Sequence, residues 1–196
     1  MSDLKIITVK GKQLLPYTQD IAKLRIRVFK DYPYLYDGDF DYEYNYLQTY
    51  VNAAECVTAI ALDGEKVIGV STSIPLADEV TEFQQPFKDS NRNVKDYFYF
   101  GESILLLPYR GQGIYPEFFA IREKAAREYG AVYATFAVVE RLPNDKRKPE
   151  AYTPLDAYWN KIGYEKHSEI STHFEWKELG EKISSPKKMV FWIKKL

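Results

Sequence analysis

The fold of this chain is constrained most by residues 103–117, which read SILLLPYRGQGIYPE. An apolar strand breaks at Pro108, passes through a glycine loop, and continues with Ile114 and Phe118 at helical spacing. Glycines let backbone N–H groups approach an anion, and a helix start adds unpaired donors and a partial positive charge. The pattern therefore indicates a phosphate-binding loop to which Arg110 adds a permanently charged contact. For so short a motif, an ordinary strand-to-helix turn with a surface arginine remains open.

Composition limits the class of protein that can carry this loop. With 196 residues, 45% of them hydrophobic, the chain can bury one sizeable core, so we expect a single domain over residues 1–196. The net charge of −1 creates no field that would recruit nucleic acid or an anionic membrane. Cys56 is the only cysteine and there are two histidines, which excludes an internal disulfide and a cysteine-based zinc site. We expect no metal, although carboxylates could hold magnesium.

The sequence also predicts a location. The first ten residues contain charges and lack the long apolar run of a signal peptide. The longest apolar run, residues 131–139, is far shorter than the roughly 20 residues that cross a bilayer. We therefore expect a soluble protein of a reducing compartment, the cytoplasm.

The first half of the sequence predicts a strand, two helices and a hairpin. Residues 4–9 alternate as a strand, and Thr18 is predicted to cap a helix that ends before Pro33. The second helix is predicted to bury the row Phe40, Tyr44, Leu47 and Val51, with Tyr42, Tyr46 and Tyr50 as another stripe. Residues 55–62 and 67–74 are strand-like runs joined by Asp-Gly-Glu-Lys, a hairpin signal.

The loop between these helices, residues 31–41, is dense in aromatic and acidic side chains. Loops on a rigid scaffold often carry binding residues, so we interpret Tyr34 and Tyr36 as substrate-binding candidates. Asp37 and Asp39 would suit a cationic substrate, or they could be turn formers. The 17 tyrosines of the chain are compatible with a water-filled pocket or with a core that has polar groups at its edge.

The second half predicts a parallel strand pair around the glycine loop. A short helix is predicted near residues 83–87 and a strand over 96–107. The following helix is predicted to have Pro116 in its first turn, to run to about Tyr129 and to end at Gly130. Residues 131–139 read as a fully buried strand. A right-handed crossover would place it parallel to the strand over 96–107.

The C-terminal part predicts a mobile basic loop over 141–152, a helix over 154–161, and two strands over 165–175 and 188–194. We expect the two strands to pair antiparallel at one edge of the sheet. Exposed strand edges there could pair between the subunits of a homodimer. The basic clusters at residues 146–148 and at the C-terminus are interpreted as solvated surface, with contact to the phosphates of a cofactor as the less favoured alternative.

This order of elements resembles the GNAT superfamily of N-acetyltransferases over nearly the whole chain. Residues 110–114, RGQGI, fit that family's R-x-x-G-x-G/A acetyl-CoA loop up to its last position, where Tyr115 replaces the small residue. Residues 158–164, YWNKIGY, are similar to the family's F-Y-x-x-x-G-F/Y. The second motif departs from the pattern at Trp159, which stands where many members have tyrosine.

The resemblance implies an α/β fold of the mixed α+β kind, with a mostly antiparallel central sheet, a parallel pair of fourth and fifth strands, and flanking helices. It also implies direct transfer of the acetyl group of acetyl-CoA, as cosubstrate, to an amine of a small molecule or peptide. The cofactor would contact free backbone groups of Leu105, Leu106 and Leu107, and its pyrophosphate would lie on Arg110, Gly111, Gln112, Gly113, Ile114 and Tyr115. The loop with Tyr34, Tyr36 and Asp37 would line the acceptor side.

The reaction needs a base, because a lysine-like ammonium has a pKa of about 10.4. Glu102, just before the cofactor loop, is the first candidate and Glu140, after the next parallel strand, is the second. The sequence leaves open whether Glu102 faces the site or solvent. Many members of the family protonate the departing thiolate with the tyrosine that is Trp159 here, so Tyr158, Tyr152, another tyrosine or water must donate.

Two further readings compete with amine acetylation. A non-catalytic acyl-CoA-binding module would keep the cofactor cradle without an acid at Trp159, and a weaker third option is transfer to a hydroxyl. We favour the enzyme, because transfer can rest on positioning and water can protonate a thiolate with a pKa near 8.5.

Overall fold

The computed structural model describes residues 3–196, and these residues contain seven strands and five α-helices. The strands are β1 (Leu4–Lys10), β2 (Val57–Asp63), β3 (Lys66–Pro75), β4 (Tyr97–Leu105), β5 (Tyr133–Val139), β6 (Glu165–Trp176) and β7 (Ser185–Lys195). The helices are α1 (Thr18–Phe29), α2 (Phe40–Asn52), α3 (Thr81–Asp89), α4 (Ile114–Tyr129) and α5 (Asp156–Lys161). One sheet has the order β1-β2-β3-β4-β5-β7-β6, and all neighbours except β4 and β5 are antiparallel. This is the predicted mixed fold.

The parallel pair is short. Strand β4 pairs with β5 only where Tyr97–Tyr99 faces Tyr133–Thr135. Beyond these residues β4 stays paired with β3 as far as Leu105, while β5 follows β7. The sheet therefore opens between the C-terminal parts of β4 and β5, and this opening positions the site.

A β-bulge interrupts β4 beside the opening. Ser71 pairs with Ser103 and Ser73 with Phe100, so Gly101 and Glu102 together face one residue of β3. A β-bulge interrupts the alternation of side chains along a strand and changes the direction in which the neighbouring side chains point.

Gly101 in this bulge has no room for a side chain. A Cβ atom there would lie 2.2 Å from the Tyr50 hydroxyl and 2.5 Å from Thr72 Oγ1. Glycine thus lets α2 approach the sheet closely at the point where the strands separate.

Helices cover both faces of the sheet. On one face Tyr99 of β4 packs on Phe83 of α3, with ring centroids 4.9 Å apart. On the other face Phe100 packs on Phe119 of α4 at 6.2 Å. Gly130, at φ +89°, ends α4 as predicted, and β6 and β7 form the predicted antiparallel pair with β6 at the sheet edge.

One prediction about the helices was wrong, and another was right only for Leu47 and Val51. Thr18 does not cap α1, because a 3-10 segment over Gly11–Tyr17 runs directly into the helix, and the Thr18 hydroxyl donates to the Leu15 carbonyl. In α2 the buried row is Glu43, Leu47, Tyr50 and Val51, whereas Phe40 is exposed and Tyr44 half-buried. Asp39 caps α2 by accepting a hydrogen bond from the Tyr42 N–H, which fixes where the helix begins.

Candidate active site

The glycine loop connects β4 to α4 in the predicted way. Gly111 and Gly113 have φ values of +75° and +82°, which favour glycine, and a Cβ atom on either would meet nothing within 4 Å. The start of α4 has no side-chain cap, so its first backbone N–H groups remain available. Arg110 Nε donates to the Leu105 carbonyl at 3.2 Å, which uses one of the five guanidinium donors.

A cleft of about 660 Å³ runs from this loop into the opening between β4 and β5. It is lined by residues 100–105 of β4, by 136–138 of β5, by Arg110, Gly111, Gly113 and Tyr115 at the start of α4, and by Trp159 of α5. Residues 31–34 and 151–153 also line it. A loop that brings bare backbone to one end of a long cleft fits a ligand with a phosphate at one end and an extended arm.

The expectation that Leu105, Leu106 and Leu107 all offer free backbone groups needs correction. The Leu106 N–H donates to the Ile68 carbonyl at 2.9 Å, and the Leu105 carbonyl accepts from Arg110. Leu105 lines the cleft, whereas the Leu107 side chain is 71% exposed outside it. Gln112 and Ile114 also lie outside the cleft wall, and the Gln112 amide donates back to the Pro108 carbonyl at 3.1 Å.

The two residues that depart from the family motifs, Tyr115 and Trp159, contact each other. Trp159 Nε1 donates to the Tyr115 hydroxyl at 3.1 Å, and both residues line the cleft. Burial raises the pKa of Tyr115. Tyr158 packs against Tyr115 and Phe119, with centroids 5.5 and 6.1 Å away, and does not line the cleft. The interpretation of Tyr158 as an acid therefore has no geometric support.

A pocket of about 90 Å³ lies beside the cleft. Its walls are largely aromatic, formed by Phe29, Tyr34, Tyr36, Tyr42, Tyr46, Phe83, Tyr99, Phe174 and Trp176, with Met189. The predicted residues Tyr34 and Tyr36 thus lie together in this pocket. Phe29, Tyr34, Gly101 and Glu102 line both the pocket and the cleft, so the two spaces meet at the bulge of β4.

Three charged side chains are buried where the two spaces meet. Arg25 of α1 donates through Nε to Glu43 of α2, and its terminal nitrogen lies 2.6 Å from Glu102 Oε2. Burial alone would lower the pKa of Arg25, but the two carboxylates raise it well above its usual value. Glu102 Oε1 is buried and has no hydrogen-bond partner among the described residues. The structure therefore answers the question left by the sequence, because Glu102 faces the site.

A chain of hydroxyls leads from the pocket to a buried acid. The Tyr46 and Tyr50 hydroxyls are 3.3 Å apart, and Tyr50 donates to Glu79 Oε2 at 3.0 Å. The other Glu79 oxygen accepts from the Val80 N–H at 3.1 Å. Burial raises the pKa of Glu79 to about 7, against the opposing effect of these hydrogen bonds. Glu79 is thus an acid that titrates near neutrality.

Arg122 of α4 is a second buried cation on the cleft wall. Its guanidinium lies between the rings of Phe100 and Phe119, 4.3 and 4.6 Å from their centroids. Its NH1 donates to the Glu102 carbonyl at 3.4 Å. Burial lowers the pKa of Arg122 to about 10, which leaves it charged at neutral pH.

Two predicted site residues lie elsewhere. Asp37 pairs with Lys177 at 2.7 Å on the surface and lines neither space. Glu140 is exposed and pairs with Lys188 at 2.8 Å and Lys166 at 3.4 Å, and the bond from Lys188 lowers its pKa. Neither residue lines the cleft or the pocket.

The basic loop after β5 is tied to two other segments of the chain. Arg141 donates to the Pro33 and Tyr34 carbonyls at 2.7 and 3.2 Å, and also pairs with buried Glu178 at 2.6 Å. Arg147 pairs with the same carboxylate at 2.5 Å. The loop predicted to be mobile is therefore tied to the loop that follows α1.

Four buried charged residues of the site were not predicted from the sequence: Arg25, Glu43, Glu79 and Arg122. One signal was present, because Arg25 interrupts the apolar face of α1 between Ile21 and Phe29, and Glu43 lies one turn before Leu47 on the buried face of α2. A charged side chain on the apolar face of a helix is rarely buried unless it is paired, so it indicates a partner in the core. Within residues 3–196, no group of three or more His, Cys, Asp or Glu residues could hold a metal ion, and no helix is long and apolar enough to cross a membrane.

The chain was compared with known proteins by sequence and by structure. No family model and no curated protein matches the sequence. Among solved structures, an acetyltransferase from Streptococcus agalactiae is 14% identical, with a TM-score of 0.62 over 100% of both chains. The ribosomal-protein-alanine N-acetyltransferase from Brucella melitensis is 14% identical, with a TM-score of 0.61 over 98% of this chain and 99% of the other.

A third similar structure is NAA60 from Arabidopsis thaliana, in complex with a bisubstrate analogue. It is 14% identical, with a TM-score of 0.59 over 98% of this chain and 99% of the other. At this level of sequence identity, structural similarity is evidence for the fold alone. The similarity extends over 98% or more of this chain. The protein has the fold of GNAT acetyltransferases, as its two motifs predicted.

Proposed function

We propose that this protein transfers the acetyl group of acetyl-CoA to an amine. The observation that carries the proposal is the junction at the β4 bulge. There a cleft that begins at a glycine loop meets an aromatic pocket, and a buried carboxylate oxygen that has no partner among residues 3–196 lies at the junction. The solved structures with this fold, which include acetyltransferases and one bisubstrate complex, support the same chemistry.

Acetyl-CoA would supply the acyl group and a thiol leaving group. Its diphosphate fits the loop, where Gly111 and Gly113 bring bare backbone to the start of α4 and Arg110 contributes charge. The part of acetyl-CoA that carries the thioester would extend along residues 102–105, on the side of β4 that is not paired with β5. Tyr115 narrows the cleft beside the loop, and Trp159 holds the Tyr115 ring in position.

Glu102 is the proton acceptor in this proposal. Its Oε2 is held by Arg25, which fixes the carboxylate, and its Oε1 is free to accept a hydrogen bond from the amine. A positioned base of this kind typically contributes about 10² to 10⁴-fold to the rate. The hydroxyl of Tyr115 accepts from Trp159, so its own proton can be donated at the cleft wall, and water is the other candidate acid.

Calorimetry with acetyl-CoA tests the cofactor assignment. We expect Arg110→Glu and Gly113→Asp each to abolish detectable binding, because one inverts the charge and the other places a carboxylate where the diphosphate would lie. Arg27→Glu, an equal charge change on the exposed face of α1, is the control and should bind normally. Full affinity in both loop variants would refute the assignment.

Release of free thiol in the presence of an amine panel tests the chemistry. Acetyl transfer predicts thiol release that depends on both acetyl-CoA and the amine. Binding of acetyl-CoA without release for any amine would instead support the non-catalytic acyl-CoA-binding module.

A further inference from the structure

The aromatic pocket contains more negative than positive charge. Glu43 and Glu102 lie beside a single guanidinium, that of Arg25, and the described pocket wall contains no other basic side chain. A ligand with a positive charge is therefore favoured in the pocket, and a ligand carboxylate would add a third anion.

Two of the three guanidinium nitrogens of Arg25 are already paired with carboxylates of the protein. One nitrogen donates to Glu43 and another pairs with Glu102, while the guanidinium carbon lies 5.0 Å from the Phe29 centroid and 4.7 Å from that of Tyr46. The group at the pocket that lacks a partner is an acceptor, Glu102 Oε1, in a residue that is only 7% exposed. A ligand must supply a donor to this oxygen, and an ammonium or amine N–H does so.

The remaining walls fit a small apolar body next to that nitrogen. Aromatic rings pack apolar area and attract a cation to their faces. The pocket volume of about 90 Å³ is smaller than the roughly 150 Å³ of an engineered cavity that binds benzene. Only a short chain or part of one ring fits inside, and the rest of a longer molecule would extend into solvent or the cleft.

We propose that the acceptor is a primary amine on a short aliphatic or single-ring body that has no carboxylate next to the amine. This inference rests on the proposed acetyl transfer and narrows its substrate. The nitrogen would lie at Glu102, where pocket and cleft meet, and the apolar body would lie among rings such as Tyr46, Tyr99 and Trp176.

Matched pairs of amines that differ by one carboxylate provide the test. Isoamylamine and phenethylamine are the decarboxylated counterparts of leucine and phenylalanine. We expect kcat/KM from thiol release to be at least about 100-fold higher for each amine than for its amino acid, because the added carboxylate meets two buried anions. Equal rates within a pair would overturn the inference and leave acetyl transfer standing.

Calorimetry with the wild-type protein and no acetyl-CoA separates this inference from the proposed function. Binding of isoamylamine but not of leucine supports it even if no amine is acetylated, a result that would refute only the transferase. Failure to bind isoamylamine in the presence or absence of acetyl-CoA would overturn it.

The variant Glu43→Gln tests the charge argument within the chain. It removes one negative charge and one of the two charged partners of Arg25. We therefore expect the preference for isoamylamine over leucine to fall by about 10-fold. Asp41→Asn, an equal charge change at an exposed position of α2, is the control and should keep the preference. An unchanged preference in a folded Glu43→Gln protein would contradict the argument.

Discussion

Glu79 makes the free energy of unfolding depend on pH in a way that can be calculated from the structure. Its pKa is raised from 4.5 to about 7, mainly because burial disfavours the charged carboxylate. Between these two values the folded protein holds a proton that the unfolded chain releases, so the contribution of Glu79 to stability is fully present below pH 4.5 and is lost as the pH rises to about 7. A shift of this size corresponds to about 3 kcal/mol, at 1.36 kcal/mol per pH unit.

Several groups surround Glu79 and contribute to this value. Tyr50 and the Val80 N–H donate to its carboxylate and favour the charged form, as does the more distant charge of Arg25. The charge of Glu102 favours the neutral form. Burial outweighs the three effects that favour ionisation.

The variant Glu79→Gln removes the titration and retains a polar side chain at the same place. We expect its stability relative to wild type to increase by about 3 kcal/mol between pH 4.5 and pH 8. Urea unfolding followed by tryptophan fluorescence at unit pH intervals measures this difference, with Glu82→Gln on the exposed side of α3 as the control. If the curves of wild type and Glu79→Gln stay parallel across this range, Glu79 does not titrate as the structure indicates.

Three further results are expected. Glu102→Gln should lower kcat by about 100-fold or more while the Kd for acetyl-CoA is unchanged, and unaltered turnover would exclude Glu102 as the base. Gly101→Ala should cost about 1 to 3 kcal/mol in urea unfolding, because its Cβ would lie 2.2 Å from the Tyr50 hydroxyl, and Tyr50→Phe in the same chain should restore part of the loss. Burial raises the pKa of Cys56 to about 12, so its thiol should react with Ellman's reagent only after unfolding, and reaction in the native protein would contradict this burial.

Local patterns in the sequence predicted most of the fold. The hairpin of β2 and β3, the glycine loop and the stop of α4 at Gly130 each depend on residues that are close in sequence. The parallel pairing of β4 and β5 followed from the crossover rule and was confirmed.

The site could be predicted only in part, because its polar groups come from distant segments. Arg25 joins Glu43, 18 residues away, to Glu102 on the central strand, and no local pattern pairs them. The direction of Glu102 depends on a bulge that is visible only in the register with β3. Asp37 was assigned to the site by its neighbours in sequence, but Lys177 holds it at the surface.

The short contact between β4 and β5 also bears on how the cleft accepts a ligand. Three residue pairs join β4 to β5 at the start of the opening, and Arg141 joins the loop after β5 to the loop after α1. Beyond Tyr99 and Thr135 the two strands are not paired with each other. A ligand can therefore enter between them without breaking a backbone hydrogen bond of the sheet.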